Sequence, residues 1–373
     1  ELDRAEEAAR LLEEILAICP TDIEALHLLQ GLLELSESWA RLVEILQLEL
    51  QIDSLDEDRS LALNKQVATV ALELLDDPFL AQEAMERALA LAPSDHDAIQ
   101  FLRRVYRENA QFEKLRQTVA ALLQMLPEAH EDDDADAAER TALYEELGEI
   151  DTEYLHNPDA AISTWSRLLE VDANNEAAIR SLEKLYREEQ RWADYVSVLE
   201  RKLALLTEPD DLKMTLLDMG TTYVERLGEW EQAALTYERL LDLDESDPDA
   251  YGFLERIYEE HGRFEDLARC LERKLGVTED TEDKVFLYER LGRIHDEKLL
   301  DSGAALEAYQ AAFDLDKTNA AIVDELEKIA TNGEQWPKLF GIYKILVDQG
   351  DEDRRVEFLQ KAAKLAIERL GDV

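Results

Sequence analysis

The sequence predicts an all-α fold: a right-handed solenoid of stacked antiparallel helix hairpins, about 20 helices in all. Three observations predict it. The first is an internal period. An aromatic residue followed three places on by Leu or Tyr occurs at Trp39, Phe112, Trp192, Phe264 and Trp336, at steps of 73, 80, 72 and 72 residues. Phase kept over four steps means stacked copies of one unit. The second is composition: 13 Gly and 8 Pro in 373 residues favour helix, and 46% hydrophobic residues suffice to fold it. The third is that apolar residues return at three- and four-residue spacing between turn signals.

The elements follow in chain order. Leu2–Ile18 reads as the second arm of a hairpin and 356–370 as a first arm, so the sequence reads as a stretch of a longer array. Between them the period sets units of about 72 residues, with boundaries near 55, 134, 208, 280 and 351, in one array over 1–373. The third unit shows the pattern most plainly. Leu143, Tyr144, Leu147, Ile150 and Tyr154 make one helix, ended by His156, Asn157, Pro158 and Asp159. Ala161, Trp165, Leu168 and Leu169 make a second, after which Asp172, Ala173, Asn174 and Asn175 supply a turn and a cap. Ala178, Leu182, Leu185 and Tyr186 make a third helix, and Trp192, Tyr195, Val198 and Leu199 a fourth. Each unit is therefore two hairpins. The residues that make one unit longer map to 127–140, where Glu131, Asp132, Asp133, Asp134, Asp136 and Glu139 read as a solvated loop with an acidic helix start. The D-x-D-x-D-G spacing of a calcium loop is missing there.

A second set of positions keeps the same phase. Small residues stand at Ala68, Gly148, Gly220, Gly292 and Ala363. Thirteen places after the first four come Ala81, Ala161, Ala233 and Ala305, and four places further Met85, Trp165, Tyr237 and Tyr309. Two helices in close contact need little side-chain bulk at their nearest approach and a large neighbour to fill the space beside it.

In these residues the chain resembles the tetratricopeptide repeats. Tyr144, Leu147, Gly148, Ala161, Trp165 and Leu168 match that family's large, apolar, small, small, aromatic, apolar scheme, and Pro20 and Pro93 match its terminal proline, which Ala173, Glu245 and Lys317 replace. Two departures stand out. The gap from the small residue to the alanine is 13, one more than the family's usual spacing, and the alternate hairpins carry Tyr106, Tyr186 and Tyr258 where a small residue is expected. The resemblance implies a fold far more firmly than a function.

Charge narrows the function. The net charge is -47, from 87 acidic and 40 basic residues. A phosphate backbone or an anionic membrane surface would be repelled, so neither nucleic acid nor a membrane surface is expected as partner. No apolar run is long enough for a span, so direct membrane insertion is not expected either. The acid reads first as a solvated surface suited to a salty bacterial cytoplasm, and second as steering of a basic partner. No leader pattern appears in these residues, which leaves the compartment open, with a cytoplasmic setting expected first. Cys19 and Cys270 are too few and too far apart to make a disulfide framework.

No Gly-rich phosphate loop, H-E-x-x-H, C-x-x-C or nucleophile elbow occurs, so no enzyme, metal or cofactor is expected. The six histidines, His27, His96, His130, His156, His261 and His295, are scattered. One local exception to the acid is a basic strip: Arg103, Arg104 and Arg107 on one helix, Arg180, Lys184 and Arg187 on its counterpart a unit later. By the resemblance, Arg103, Arg107, Arg180 and Arg187 hold first-helix positions that face a concave groove. Such a strip could hold an acidic peptide or a C-terminal carboxylate, or its arginines could pair with neighbouring Glu and Asp. The Lys- and Asn-based carboxylate clamp of chaperone-binding relatives is not matched. The expected function is a protein-interaction scaffold or adaptor that takes a protein or peptide on its concave face. An acidic escort for a basic protein, and a non-catalytic repeat region of a larger enzyme or membrane-associated protein, stay open beside it.

Overall fold

The computed structural model describes residues 2–52, 55–127, 134–349 and 352–371, with backbone alone at 2–5, 134, 135, 349, 352–354 and 370. His130, Glu131, Asp132 and Asp133 lie outside the described residues, as does the side chain of Asp134. Among the described residues there are twenty α-helices and no strand. Contacts divide the chain into two units, Glu1–Arg191 and Trp192–Val373. The first holds α1 (Leu2–Ile18), α2 (Ile23–Leu35), α3 (Trp39–Glu49), α4 (Glu57–Glu73), α5 (Pro78–Leu91), α6 (His96–Glu108), α7 (Phe112–Met125), α8 (Asp134–Glu149), α9 (Pro158–Val171) and α10 (Glu176–Glu188). The second holds α11 (Trp192–Leu205), α12 (Pro209–Thr222), α13 (Trp230–Leu243), α14 (Pro248–Glu260), α15 (Phe264–Val277), α16 (Thr281–Glu297), α17 (Ser302–Leu315), α18 (Ala320–Asn332), α19 (Trp336–Gln349) and α20 (Glu352–Leu365). Within each unit every helix packs against the next in sequence, which is the contact pattern of stacked hairpins.

Helix starts are written in side chains. Asp22, Asp77, Asp95, Asn157, Asn175, Asp247, Asp301 and Asn319 each sit at an N-cap and accept a backbone N–H of the first turn. Pro78, Pro158, Pro209 and Pro248 open their helices, where the missing N–H costs nothing.

The closest contact lies inside each first-kind hairpin, α8–α9, α12–α13 and α16–α17. A Cβ placed on Gly148 would come 2.6 Å from Trp165 Cζ2, on Gly220 2.6 Å from Tyr237 Cζ, and on Gly292 2.6 Å from Tyr309 Cε2. Carbon atoms at rest stay about 3.5–4.0 Å apart, so only glycine lets these rings lie flat on the first arm. In α4–α5 the smaller Met85 takes the ring's place, and Ala68 is tolerated opposite it with both side chains buried.

The spacing of 13 has a local cause. The first arms end in a wide turn: the N–H of Leu75, Leu155 and Leu299 reaches five residues back, to Val70, Ile150 and Ile294. Asp77, Asn157, Glu229 and Asp301 reach six back, to Ala71, Asp151, Tyr223 and His295. At Ile150–Tyr154 and Tyr223–Leu227 the helix itself is π-wound, which takes up one extra residue without moving the ring off its glycine. The alternate hairpins close more tightly, with Ser38, Gln111, Arg191, Arg263 and Gln335 bonding five residues back in a Schellman-type turn. Their tyrosines face sideways into the neighbouring arm: Tyr106 donates to Glu86 Oε1 at 2.8 Å and Tyr258 to Glu238 Oε1 at 2.5 Å.

Both turn types need one residue in the left-handed region. Gly228 and Gly262 supply it cheaply, whereas Glu37, Asp76, Ala110, His156, Gln190, Leu300 and Glu334 adopt φ between 49° and 56° with a Cβ present.

Two predictions follow from this geometry. Gly148→Ala should lower stability by about 1–3 kcal/mol, because the added methyl overlaps the Trp165 ring; Gly252→Ala, a helical glycine with open space around it, should raise stability by about 0.4–1 kcal/mol. Urea denaturation of both variants reads the contrast, and equal midpoints would contradict it. Leu300→Gly should stabilise by about 0.5–1 kcal/mol, since the side chain is exposed and only its backbone strain is removed. A lower midpoint for that variant would contradict the assignment of strain.

Candidate interaction surface

The hairpins set their first arms side by side: α2, α4, α6, α8 and α10 in the first unit, and α12, α14, α16, α18 and α20 in the second. Two recurring polar contacts join neighbouring first arms. One is made at the N-cap of the later arm. Lys65 pairs with Asp95, Asn175 Nδ2 donates to Glu145 Oε1 at 2.8 Å, Lys213 pairs with Asp247, and Asn319 Nδ2 donates to Glu289 Oε1 at 2.8 Å. The other lies at mid-helix. Gln66 Nε2 donates to Glu34 Oε1 at 2.8 Å, Arg103 and Arg107 converge on Glu146, and Arg290 pairs with Glu255 and, at 3.1 Å, with Glu259. Lys361 closes the series on Glu327 at 2.8 Å.

The basic strip therefore divides. Arg103 and Arg107 are bound to Glu146 of α8, which is buried. Arg104 lies 3.7 Å from Glu108 on its own helix, and Arg187 lies 3.6 Å from Glu183 on α10. Arg180 and Lys184 are brought together in an open cleft between α10 and the turn after α8, beside Thr152, His156 and Ser181. Among the described residues neither Arg180 nor Lys184 makes an ion pair, and Glu153, Glu188 and Glu189 stand at the cleft's edges. With α8 between α6 and α10, the structure sets Arg103 and Arg107 apart from Arg180, Lys184 and Arg187.

The phase-setting aromatics have structural partners. Trp39, Phe112, Trp192, Phe264 and Trp336 each open a helix and are half-buried. Tyr154 stacks on Phe112 with ring centroids 3.9 Å apart. One unit later, Arg226 lies over Trp192 at 5.1 Å, Lys298 over Phe264 at 5.5 Å and Arg369 over Trp336 at 4.9 Å. Each partner comes from the end of the next first arm, so these rings fasten one hairpin to the following one.

Glu49 and Asp151 are among the buried carboxylates that escaped the sequence reading. Glu49, 1% exposed, accepts from Arg59 Nε at 2.7 Å and Gln30 Nε2 at 2.6 Å, with His27 at 3.4 Å. Burial pushes its carboxyl upward, but the bonds from Arg59 and Gln30 and the charge of Arg59 outweigh that and hold it below the usual range. Asp151, fully buried, accepts from Arg116 Nε at 2.5 Å and from Thr164 at 3.2 Å. Their partners lie 10 to 35 residues away in the chain, and nothing in a sequence this rich in carboxylate singles them out. Both are satisfied by structural neighbours. Burial pushes the Cys270 thiol up to about 12, far from a reactive thiolate. Among the described residues no three His, Cys, Asp or Glu side chains are grouped as a metal site would require, and no helix is long and apolar enough to cross a membrane.

The tetratricopeptide repeat model matches residues 215–251 and 250–285. The second match spans the hairpin α14–α15 from residue 250 on, so the hairpin with Tyr258 is matched along with the one that holds Gly220. No curated protein matches the chain in sequence. Among solved structures, it is similar to a tetratricopeptide repeat protein from Parabacteroides merdae, with 15% identity over 73% of this chain and 99% of that one, TM-score 0.30. It is similar to Naa15/Naa10 bound to HypK-THB, with 15% identity over 99% of this chain and 59% of that one, TM-score 0.38. The P58(IPK) TPR domain matches at 14% identity over 93% and 99%, TM-score 0.26. Two repeats are thus matched directly, and the ring-on-glycine contact within them recurs at Gly148 and Gly292 outside them. Residues 215–285 thus match tetratricopeptide repeats, and the hairpins on either side of them repeat the same packing.

Proposed function

We propose that the chain is a protein-interaction scaffold without catalytic activity of its own, and that the face formed by its first arms takes a peptide segment of a partner. One observation carries the reading furthest. In a chain of net charge -47, Arg180 and Lys184 share an open cleft without an ion pair of their own, while Arg103, Arg107, Arg116 and Arg290 are held by internal carboxylates. Two cations about one helical turn apart, beside the hydroxyls of Thr152 and Ser181, match a carboxylate: an acidic side chain or a chain's C-terminus. The repeat family supports the same reading, because solenoid arrays offer extended surfaces rather than enclosed pockets.

The surplus of carboxylate favours a second occupant class, a basic protein held by long-range attraction. Such a complex would dissolve in about 0.5 M salt, where the Debye length falls to a few ångströms.

Selection from random peptides with free carboxyl termini should enrich acidic or carboxylate-terminated sequences. The double variant Arg180→Glu/Lys184→Glu should weaken their binding about tenfold or more, the loss of roughly 1.4 kcal/mol expected for one charge-assisted contact. Enriched peptides that bind the variant as tightly as the parent would overturn the assignment of the cleft.

A further inference from the structure

We infer that the contacts between neighbouring first arms specify which hairpin stacks on which. The contacts recur at the same caps and the same mid-helix level but not in chemistry, and Lys213 reaches its cap from one turn before the position held by Lys65, Glu145 and Glu289. At the caps the partner changes with the cap. Lys65 faces Asp95 and Lys213 faces Asp247, whereas Glu145 faces Asn175 and Glu289 faces Asn319. Along the chain the pairs therefore alternate between Lys with Asp and Glu with Asn.

Each cap must accept a backbone N–H of its own helix, as Asp95 does from Ala98 and Asn175 from Ala178. Ionised Asp offers only acceptors, so its second partner must be a donor; Asn also carries an NH2 group, so it can take a carboxylate. Exchanging the arms would set Glu145 against Asp95 or Asp247, two carboxylates in contact. Asp247 is 1% exposed, where solvent screens such repulsion poorly.

The mid-helix contact inverts outright. In the first unit Arg103 and Arg107 of α6 bind one carboxylate, Glu146 of α8. Two periods on, at the same repeat positions, Glu255 and Glu259 of α14 bind one guanidinium, Arg290 of α16. The arrangement is the same and every sign is reversed. Placing α6 against α16 would bring three guanidinium groups together.

Apolar packing does not make these distinctions. The contacts of Gly148 with Trp165, Gly220 with Tyr237 and Gly292 with Tyr309 lie inside hairpins and are near-equivalent, so they give hairpins of one shape and do not mark which neighbour each should take. Tandem arrays fail in this way, by misassembly and exchange between copies. Charge and hydrogen-bond mismatches that penalise the wrong neighbour while leaving the right one intact are a remedy.

The test separates pairing from specification. Glu145→Lys alone should lower the urea midpoint, and adding Asn175→Asp should restore it. A second variant combines that pair with Arg103→Glu, Arg107→Glu and Glu146→Arg. It keeps each local pair but breaks the alternation at the caps and gives the mid-helix contact of the first unit the chemistry of the second. If the contacts specify order, its equilibrium midpoint stays near the parent's. On dilution from urea its oligomeric and misassembled fraction, read by size-exclusion chromatography with light scattering, rises about twofold or more over the parent at equal concentration. Refolding to the parent's monomer yield would overturn the inference, as would failure of Asn175→Asp to rescue Glu145→Lys.

Discussion

The structure depends on a close approach between the two arms of each first-kind hairpin. At Gly148, Gly220 and Gly292 a ring from the second arm lies where a Cβ would be. That contact fixes how near the arms come and at which level, because a ring on a bare backbone has one seat. The wide turn after the first arm lengthens the connection by one residue while keeping the ring in that seat. A hairpin so defined still exposes apolar faces on either side, and the next hairpin buries them. Order in the array is thus handed from neighbour to neighbour, and the half-buried aromatics at the helix starts, clasped by Tyr154, Arg226, Lys298 and Arg369, are the clasps.

The first arms inherit their spacing from this packing, and their polar side chains have settled into the gaps. Part of the positive charge within the described residues is held inside the stack. The guanidinium groups of Arg59, Arg103, Arg107, Arg116 and Arg290 lie against Glu49, Glu146, Asp151 and Glu255. What faces solvent is correspondingly acidic, which makes an open cleft holding Arg180 and Lys184 distinctive. The same geometry that builds the stack therefore decides which cations are held by internal carboxylates and which are not.

Much of this was legible from residue spacing. Helix positions, the five aromatic starts and the small-residue sites follow from steric demands that act within about 20 residues, and the structure places Gly148 under Trp165 as the spacing requires. The turns were less legible. Gly228, Gly262 and Gly371 advertise a left-handed residue; Ala110 and Leu300 adopt it because the surrounding helices impose it, against their own preference. The basic strip was legible as a set of residues but not as a site. Glu146 lies 39 residues from Arg107, among many other acids, and only the stacking of α8 on its neighbour picks it out. The alternating cap pairs went unseen for the same reason, since each joins residues about 30 apart whose meaning appears only when the arms lie side by side.

Native-state hydrogen exchange on a Gly220→Ala variant tests most directly whether stability passes between neighbours. If it does, protection should fall most in α12 and α13, less in the adjoining hairpin, and hardly at all in α4 and α5. A uniform loss of protection over both units would mean one cooperative core and would contradict the account.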